Sequence, residues 1–358
     1  MNGIREKILW WAALRRIRLD KPYIIAIGGG IAKTSTKVTF GTILAKALPG
    51  QSRVGFGNLN TYLGVPLAVL DFHLDFHRQT LSAFQWIWLL KRSIWRAFFD
   101  RLPKYLVLEY GTDQPGDIAA LVKKLPPDMV LLTVVAPAHI ANYPSLEAVA
   151  EDESTLIVGS QPTALVIVNK HDPFLALHIK NAGSRTVVQV DTQPETIATE
   201  FARSAAAQLG IASDLIEAAL SVVQNPTGRF QIKQIGNFRL IDDSYNANPA
   251  SMAAALRVLE KMPPPRVAVL GTMLEQGEQA AAAHRQTGEQ AHAVAQIIIG
   301  VGEWAQLYRP NNHFSTSEEA AEQIFSYLPQ AASILVKGSR GVHMEKIVDK
   351  LLTSNGNN

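Results

Sequence analysis

Residues 24–37, IIAIGGGIAKTSTK, carry an apolar run of strand type into a glycine cluster, followed at once by Lys33, Thr34 and Ser35. That order confines the local fold to strand, loop and helix. Backbone N–H groups in such a loop surround polyphosphate oxygens, and the following helix points its positive end at the same charge. A lysine there reaches the outer phosphates and a hydroxyl reaches Mg²⁺. Gly28, Gly29, Gly30, Ala32, Lys33, Thr34 and Ser35 are therefore candidate nucleotide-binding residues. Ala32 stands where the motif usually has a glycine. The alternative is a tight strand-to-helix turn with an exposed lysine.

The 358 residues suit two domains, each large enough to bury its own core. A hydrophobic share of 47% and a charged share of 18% fit a globular protein. Net charge is only +3, and no dense Lys/Arg tract accompanies it, which argues against nucleic acid as a partner. The absence of cysteine excludes disulfides, thiolate metal sites and cysteine nucleophiles. Ile8–Leu14 is too short for a secretion signal and runs into Arg15, Arg16 and Arg18. No stretch approaches the roughly 20 apolar residues that span a bilayer. The expected address is cytoplasmic.

Strand-like runs at Tyr23–Ile27, Tyr105–Leu108, Met129–Val135 and Ala164–Val168 alternate with helical periods, which predicts a mostly parallel sheet covered on both faces. A second alternation follows Gly228, with runs at Phe238–Ile241, Arg266–Leu270, Ile297–Val301 and Ile334–Val336. Between them, Ser251–Met262 reads as a helix with Met252, Leu256, Leu259 and Met262 on one face. The expected organisation is an N-terminal amphipathic helix over 1–22, a central α/β domain of P-loop type over 23–224, and a smaller Rossmann-like α/β domain over 225–358. Asn225-Pro226-Thr227-Gly228 reads as the hinge.

Residues 6–18 and 82–99 hold Trp10, Trp11, Trp86, Trp88 and Trp95, interleaved with Arg and Lys. The expectation is that both helices pack together as an outer layer with their aromatic faces buried. The alternative is peripheral contact with an anionic membrane, rings at headgroup level and cations outward.

Glu109 ends the run YLVLE, and His139 follows the strand MVLLTVV. Ligands of an open parallel sheet sit outside the carboxyl ends of its strands. There a carboxylate and an imidazole can complete a Mg²⁺ shell begun by Thr34, although taken singly Glu109 reads as an ordinary strand-end carboxylate and His139 as a turn or capping histidine. In the second domain, Gly228-Arg229-Phe230 precedes the polar string from Asp242 to Pro249, which follows one strand and precedes a helix. Its simpler explanation is an Asx-rich helix start capped by Asn248 or Ser251. Lys337-Gly338-Ser339-Arg340-Gly341 again follows a strand and suits a carboxylate or phosphate. A solvated basic turn is the alternative.

Taken together these strings resemble the Mur ligase family, in particular the branch that adds D-alanyl-D-alanine to a nucleotide-linked muramoyl peptide. The similarity runs from about Tyr23 to Leu352. It also rests on Asn58-Leu59-Asn60, Gly64-Val65-Pro66, Pro115-Gly116-Asp117, Val269-Leu270-Gly271 with Met273-Leu274-Glu275, and His284. The resemblance implies ATP and Mg²⁺ as cofactors and amide synthesis through an acyl phosphate. It implies that Lys33 holds the β- and γ-phosphates and that Thr34, Glu109 and His139 bind the metal. Arg229 would reach the ATP phosphates, Asp243 the ribose, and Asn246 and Asn248 the nucleotide side of the cleft. Asn58, Asn60, Lys337, Ser339 and Arg340 would meet substrate: a muramoyl-peptide-like acceptor and an amino acid or a dipeptide such as D-Ala-D-Ala.

Four departures from the family pattern accompany the match. Ala32 replaces a glycine. Glu153 stands where the resembled family has a carbamylated lysine; it supplies a carboxylate but is several atoms shorter, so it either substitutes directly, as a member of the catalytic set, or fails to. Val134 replaces an asparagine. The expectation is that the family's UDP-gripping N-terminal domain and part of its adenine-side segment have no counterpart in these residues. These departures keep a second expectation open, a catalytically impaired relative acting as a nucleotide-binding regulatory or interaction subunit. Oligomeric state is not readable from the sequence.

Overall fold

The computed structural model describes residues 2–74, 81–137 and 140–353. The chain forms two compact α/β units: Met1–Val135 with Ser145–Val223, and Ala136–Pro144 with Gln224–Asn358.

The first unit is built on six strands, β1 (Tyr23–Gly28), β2 (Ser52–Val54), β3 (Tyr105–Glu109), β4 (Met129–Leu132), β5 (Leu165–Asn169) and β6 (Thr186–Val190). They lie in the order β2-β3-β1-β4-β5-β6, all parallel. The central strands are buried along their length, which is why they read as unbroken apolar runs. Ile24 and Ala26, Leu106 and Leu108, and Val130 and Leu132 share one face with Leu9 and Trp10 of the helix Asn2–Asp20. β1 lies between β3 and β4, so the strand order switches direction at β1, the position where ligands of an open parallel sheet sit beyond the strands' carboxyl ends.

The second unit holds β7 (Gln231–Ile235), β8 (Phe238–Asp243), β9 (Arg266–Gly271), β10 (Ile297–Val301), β11 (Asn312–Phe314) and β12 (Ser333–Lys337). Their order is β11-β10-β9-β12-β8-β7, parallel except for β7, which returns along β8 as a hairpin. One apolar cluster covers each face, Val267, Val269 and Val336 on one side and Ala268, Leu270 and Leu335 on the other. The helix Pro249–Glu260 buries Met252, Leu256 and Leu259 as its spacing predicts.

β2, β6, β7 and β11 were not expected from the sequence. All lie at or beside sheet edges, where a strand is covered on fewer sides and needs no apolar run. The tryptophan-rich helices also differ from expectation. Asn2–Asp20 and Ala83–Phe99 do pack together, but only Trp10 is fully buried, while Trp11, Trp88 and Trp95 are exposed. Among the described residues no helix is long and apolar enough to cross a membrane.

Candidate active site

β1 ends at Gly28, and the loop Gly29–Ala32 delivers the chain into the helix Lys33–Ala47. Gly29 has φ +115°, and a Cβ there would stand 2.1 Å from Thr133 Oγ1, so only glycine fits. Thr133 ties the loop from below, donating toward Gly28 O at 3.1 Å and Ile31 O at 2.8 Å. Gly29 N–H donates to Glu153 Oε2 at 2.9 Å, and Gly30 N–H to Val134 O at 2.7 Å. Lys33 folds its ammonium onto Gly29 O. Ala32 takes φ +59° at the helix N-cap, the left-handed conformation for which the motif usually supplies glycine.

One residue into the helix, Thr34 Oγ1 donates to Glu109 Oε2 at 2.9 Å. Glu109 ends β3, immediately beside β1, so sheet pairing itself brings the two together. Asn60 Nδ2 donates to Glu109 Oε1 at 3.0 Å, which draws a residue expected at the substrate into the carboxylate's own shell. A fourth member was missed by the sequence analysis: Lys37, buried, 3.1 Å from Glu109 Oε2 and also bonded to Gly57 O. The available signal was its spacing, one helical turn beyond Thr34 on the same face. His139 lies outside the described residues. Glu153 is buried against the loop, and its hydrogen bond goes to Gly29. Burial raises its carboxyl pKa, opposed by the Lys33 charge and the Gly29 amide.

In the second unit, Asp243 and Lys337 sit side by side on β8 and β12. Lys337 Nζ lies 2.5 Å from Asp243 Oδ2 and 2.8 Å from Asn246 O. Burial pushes the Asp243 carboxyl up against the pull of the Lys337 ammonium. Ser339 Oγ accepts from Leu274 N–H at 2.8 Å and donates to Ala247 O at 3.2 Å, joining the two polar strings. Arg229 and Arg340 both stack on Tyr245, with 4.0 and 5.3 Å from guanidinium to ring centre. Asn246 Oδ1 accepts from Arg340 N–H at 3.4 Å. Asn248 caps the helix Pro249–Glu260 in a reciprocal pair with Ser251, the simpler of its two expected roles. Asn58 is tied in by its own carbonyl, which accepts from Asn60 N–H.

Residues 95–255 match the Mur ligase middle domain, and residues 228–340 match the Mur ligase, glutamate ligase domain. The UDP-N-acetylmuramoyl-tripeptide–D-alanyl-D-alanine ligase of Escherichia coli is 28% identical over 379 residues, covering 93% of this chain and 77% of that protein. A crystal structure of MurF from Acinetobacter baumannii aligns with a TM-score of 0.79 at 25% identity, over 97% of this chain and 80% of that one. MurF from Thermotoga maritima, solved in complex with ADP, aligns with a TM-score of 0.81 at 19% identity, over 98% and 84%. With the two domain models together running from residue 95 to residue 340, the chain belongs to the Mur ligase family, whose members are ATP-dependent ligases that form amide bonds.

Proposed function

We propose that this ligase phosphorylates the terminal carboxylate of a muramoyl-peptide acceptor with ATP and then joins it to D-Ala-D-Ala or a closely similar amine. One observation carries the proposal: Thr34, Lys37, Asn60 and Glu109 form a single hydrogen-bonded group directly beside the glycine loop. The name of the Escherichia coli relative supplies the substrate pair.

The acceptor carboxylate oxygen would attack the γ-phosphorus while the bond to the β–γ bridging oxygen breaks and ADP leaves. The amine nitrogen would then attack the acyl carbon, inorganic phosphate would depart with the bonding pair, and the amine would give up a proton. Phosphoryl transfer needs in-line positioning and cations on the phosphate oxygens more than it needs covalent help. Lys33 is the loop's cation for the outer phosphates, and Arg229 is assigned to the same phosphates by family resemblance. Asp243, Asn246 and Asn248 are assigned to the nucleotide, and Lys337, Ser339 and Arg340 to the incoming amine component.

The residues fit Mg²⁺. A hydroxyl and a carboxylate 2.9 Å apart are hard oxygen donors, and Mg²⁺ is commonly held by one or two carboxylates plus substrate phosphates. Bound there by Thr34 and Glu109, it would neutralise charge on the transferring phosphoryl group. Lys37 orients the Glu109 carboxyl beforehand. A cytoplasmic setting goes with the proposal, because that is where ATP is supplied.

A second proposal, a nucleotide-binding relative without turnover, is favoured by one observation. Two loop amides, those of Gly29 and Gly30, are engaged within the protein. Measuring ADP and phosphate release with a muramoyl tripeptide, with and without D-Ala-D-Ala, separates the two. Release that requires both substrates, and falls by two orders of magnitude or more (~10²-fold) in Lys33→Ala, supports the ligase. ATP binding with no release under any substrate combination supports the silent protein.

A further inference from the structure

The helix Ala83–Phe99 packs inside out. Its fully buried residues are Leu89, Ser93 and Ala97, mostly small, with Trp86 and Leu90 half-buried against the same core, while Phe84, Trp88, Trp95 and Phe99 point to solvent at 86, 59, 54 and 69% exposure. A helix that only covers a sheet does the reverse, because the largest apolar side chains gain most from burial. The outward positions recur every three or four residues and form one stripe. Trp11 of the helix Asn2–Asp20 meets Phe98 at 6.0 Å between ring centres, so the stripe continues onto the neighbouring helix, where Ile4 is also exposed.

Charge accompanies the stripe. The two helices carry eight Lys and Arg against Glu6 and Asp20, a net +6, in a chain whose total is +3, so everything else sums to −3. Lys91 lies within the aromatic stripe. The Arg92 guanidinium lies over the Trp88 ring at 5.4 Å and that of Arg15 over Phe98 at 4.4 Å, so cations and rings share this surface. Beside Trp11 a pocket of about 390 Å³ is lined by Lys7, Arg18, Tyr62 and Lys124, with Glu6 its single carboxylate. It is large enough for a phosphate headgroup.

We propose that this face seats the enzyme on a bilayer rich in anionic phospholipid. Rings at the boundary of headgroup and acyl chain, with cations among the headgroups, are what an interfacial helix presents. A second copy of the chain is a poor occupant, since it would set one net-positive pair of helices against another. The face lies on the membrane and does not cross it.

The test mixes the full chain with vesicles of phosphatidylglycerol and phosphatidylcholine, and separately with phosphatidylcholine alone. The expected result is co-sedimentation with the anionic vesicles, weakened by salt and at least about tenfold stronger than with the neutral ones. Tryptophan emission of the wild-type chain should shift to the blue and be quenched by lipids brominated high on the acyl chain. Trp88→Ser/Trp95→Ser/Phe99→Ser, which alters exposed side chains only, should keep its melting curve and lose vesicle binding by about tenfold or more. Lys7→Glu/Arg18→Glu/Lys91→Glu should lose the preference for phosphatidylglycerol. Wild-type protein left in the supernatant with both vesicle types overturns the proposal. So does binding without quenching that the aromatic variant leaves intact. A concentration-dependent dimer abolished by that variant, with no lipid binding, would show that the face belongs to a second copy.

Discussion

Lys37 Nζ stands 3.1 Å from Glu109 Oε2, and both side chains are almost completely buried. The ammonium is also bonded to Gly57 O, and the carboxylate also accepts from Thr34 and Asn60. Taking one partner from a buried pair leaves the other charge without compensation, at a cost of about 3–5 kcal/mol. Lys37→Met should destabilise the first unit by roughly that amount in urea unfolding. Lys37→Met combined with Glu109→Gln should recover much of the loss, because neither charge is then stranded. A single-mutant cost below about 1 kcal/mol would mean that water reaches the pair.

Ala32 occupies the left-handed region at φ +59°, where an L residue pays about 1–2 kcal/mol and glycine pays little. Ala32→Gly removes that strain but gives the unfolded chain more freedom, an opposing effect of about 0.4–1 kcal/mol. The net expectation is a gain of up to about 1.5 kcal/mol, read from the urea midpoint of wild type and variant. A loss on substitution would show that the alanine methyl contributes packing worth more than the strain.

These two positions, five residues apart at the start of one helix, show what the sequence discloses and what it hides. The strand, glycine loop and helix of residues 24–37 are legible because an apolar run breaks into glycines at a fixed place. Glu109 is legible as the polar end of a buried run. Lys37 is not, since a lysine in a helix reads as solvated. Its burial depends on a carboxylate 72 residues away. The central strands could be read for the same reason that the edges could not. Gln231–Ile235 leaves Ile232 58% exposed, and Asn312–Phe314 is three residues long. The tryptophan helices pack together as read, but Trp11, Trp88 and Trp95 face solvent, whereas an aromatic stripe ordinarily marks the side facing the core.

His284 is buried with both ring nitrogens committed. Nε2 accepts from Met273 N–H at 2.9 Å, which leaves Nδ1 to carry the proton toward Ala280 O. That arrangement needs the neutral ring, and burial lowers its pKa below the ordinary value of 6.5. The folded state therefore binds fewer protons than the unfolded one just below that value. The His284 contribution is fully present above pH 6.5 and is lost as pH falls toward the depressed folded value. An NMR titration should find the His284 ring protonating at a lower pH than the ordinary 6.5, and stability of the second unit should decline as pH falls below that value. His284→Gln should flatten that decline.

Glu153 has the opposite sign. Burial raises its carboxyl pKa above the ordinary carboxylate value, although Lys33 and the Gly29 amide favour the ionised form. The folded state then binds more protons than the unfolded one between the two values. Its contribution is complete below the unfolded pKa and is lost as pH rises through the folded pKa. Glu153→Gln keeps an oxygen for the Gly29 N–H and removes the charge that burial penalises. The variant should gain stability relative to wild type as pH rises from 4 to 8, with the two curves converging at the acid end. Paired urea titrations across that range measure the difference. If the gap instead widens toward low pH, the Glu153 carboxylate is stabilised in place, and Lys33 and the Gly29 amide outweigh burial in holding it ionised beneath the loop.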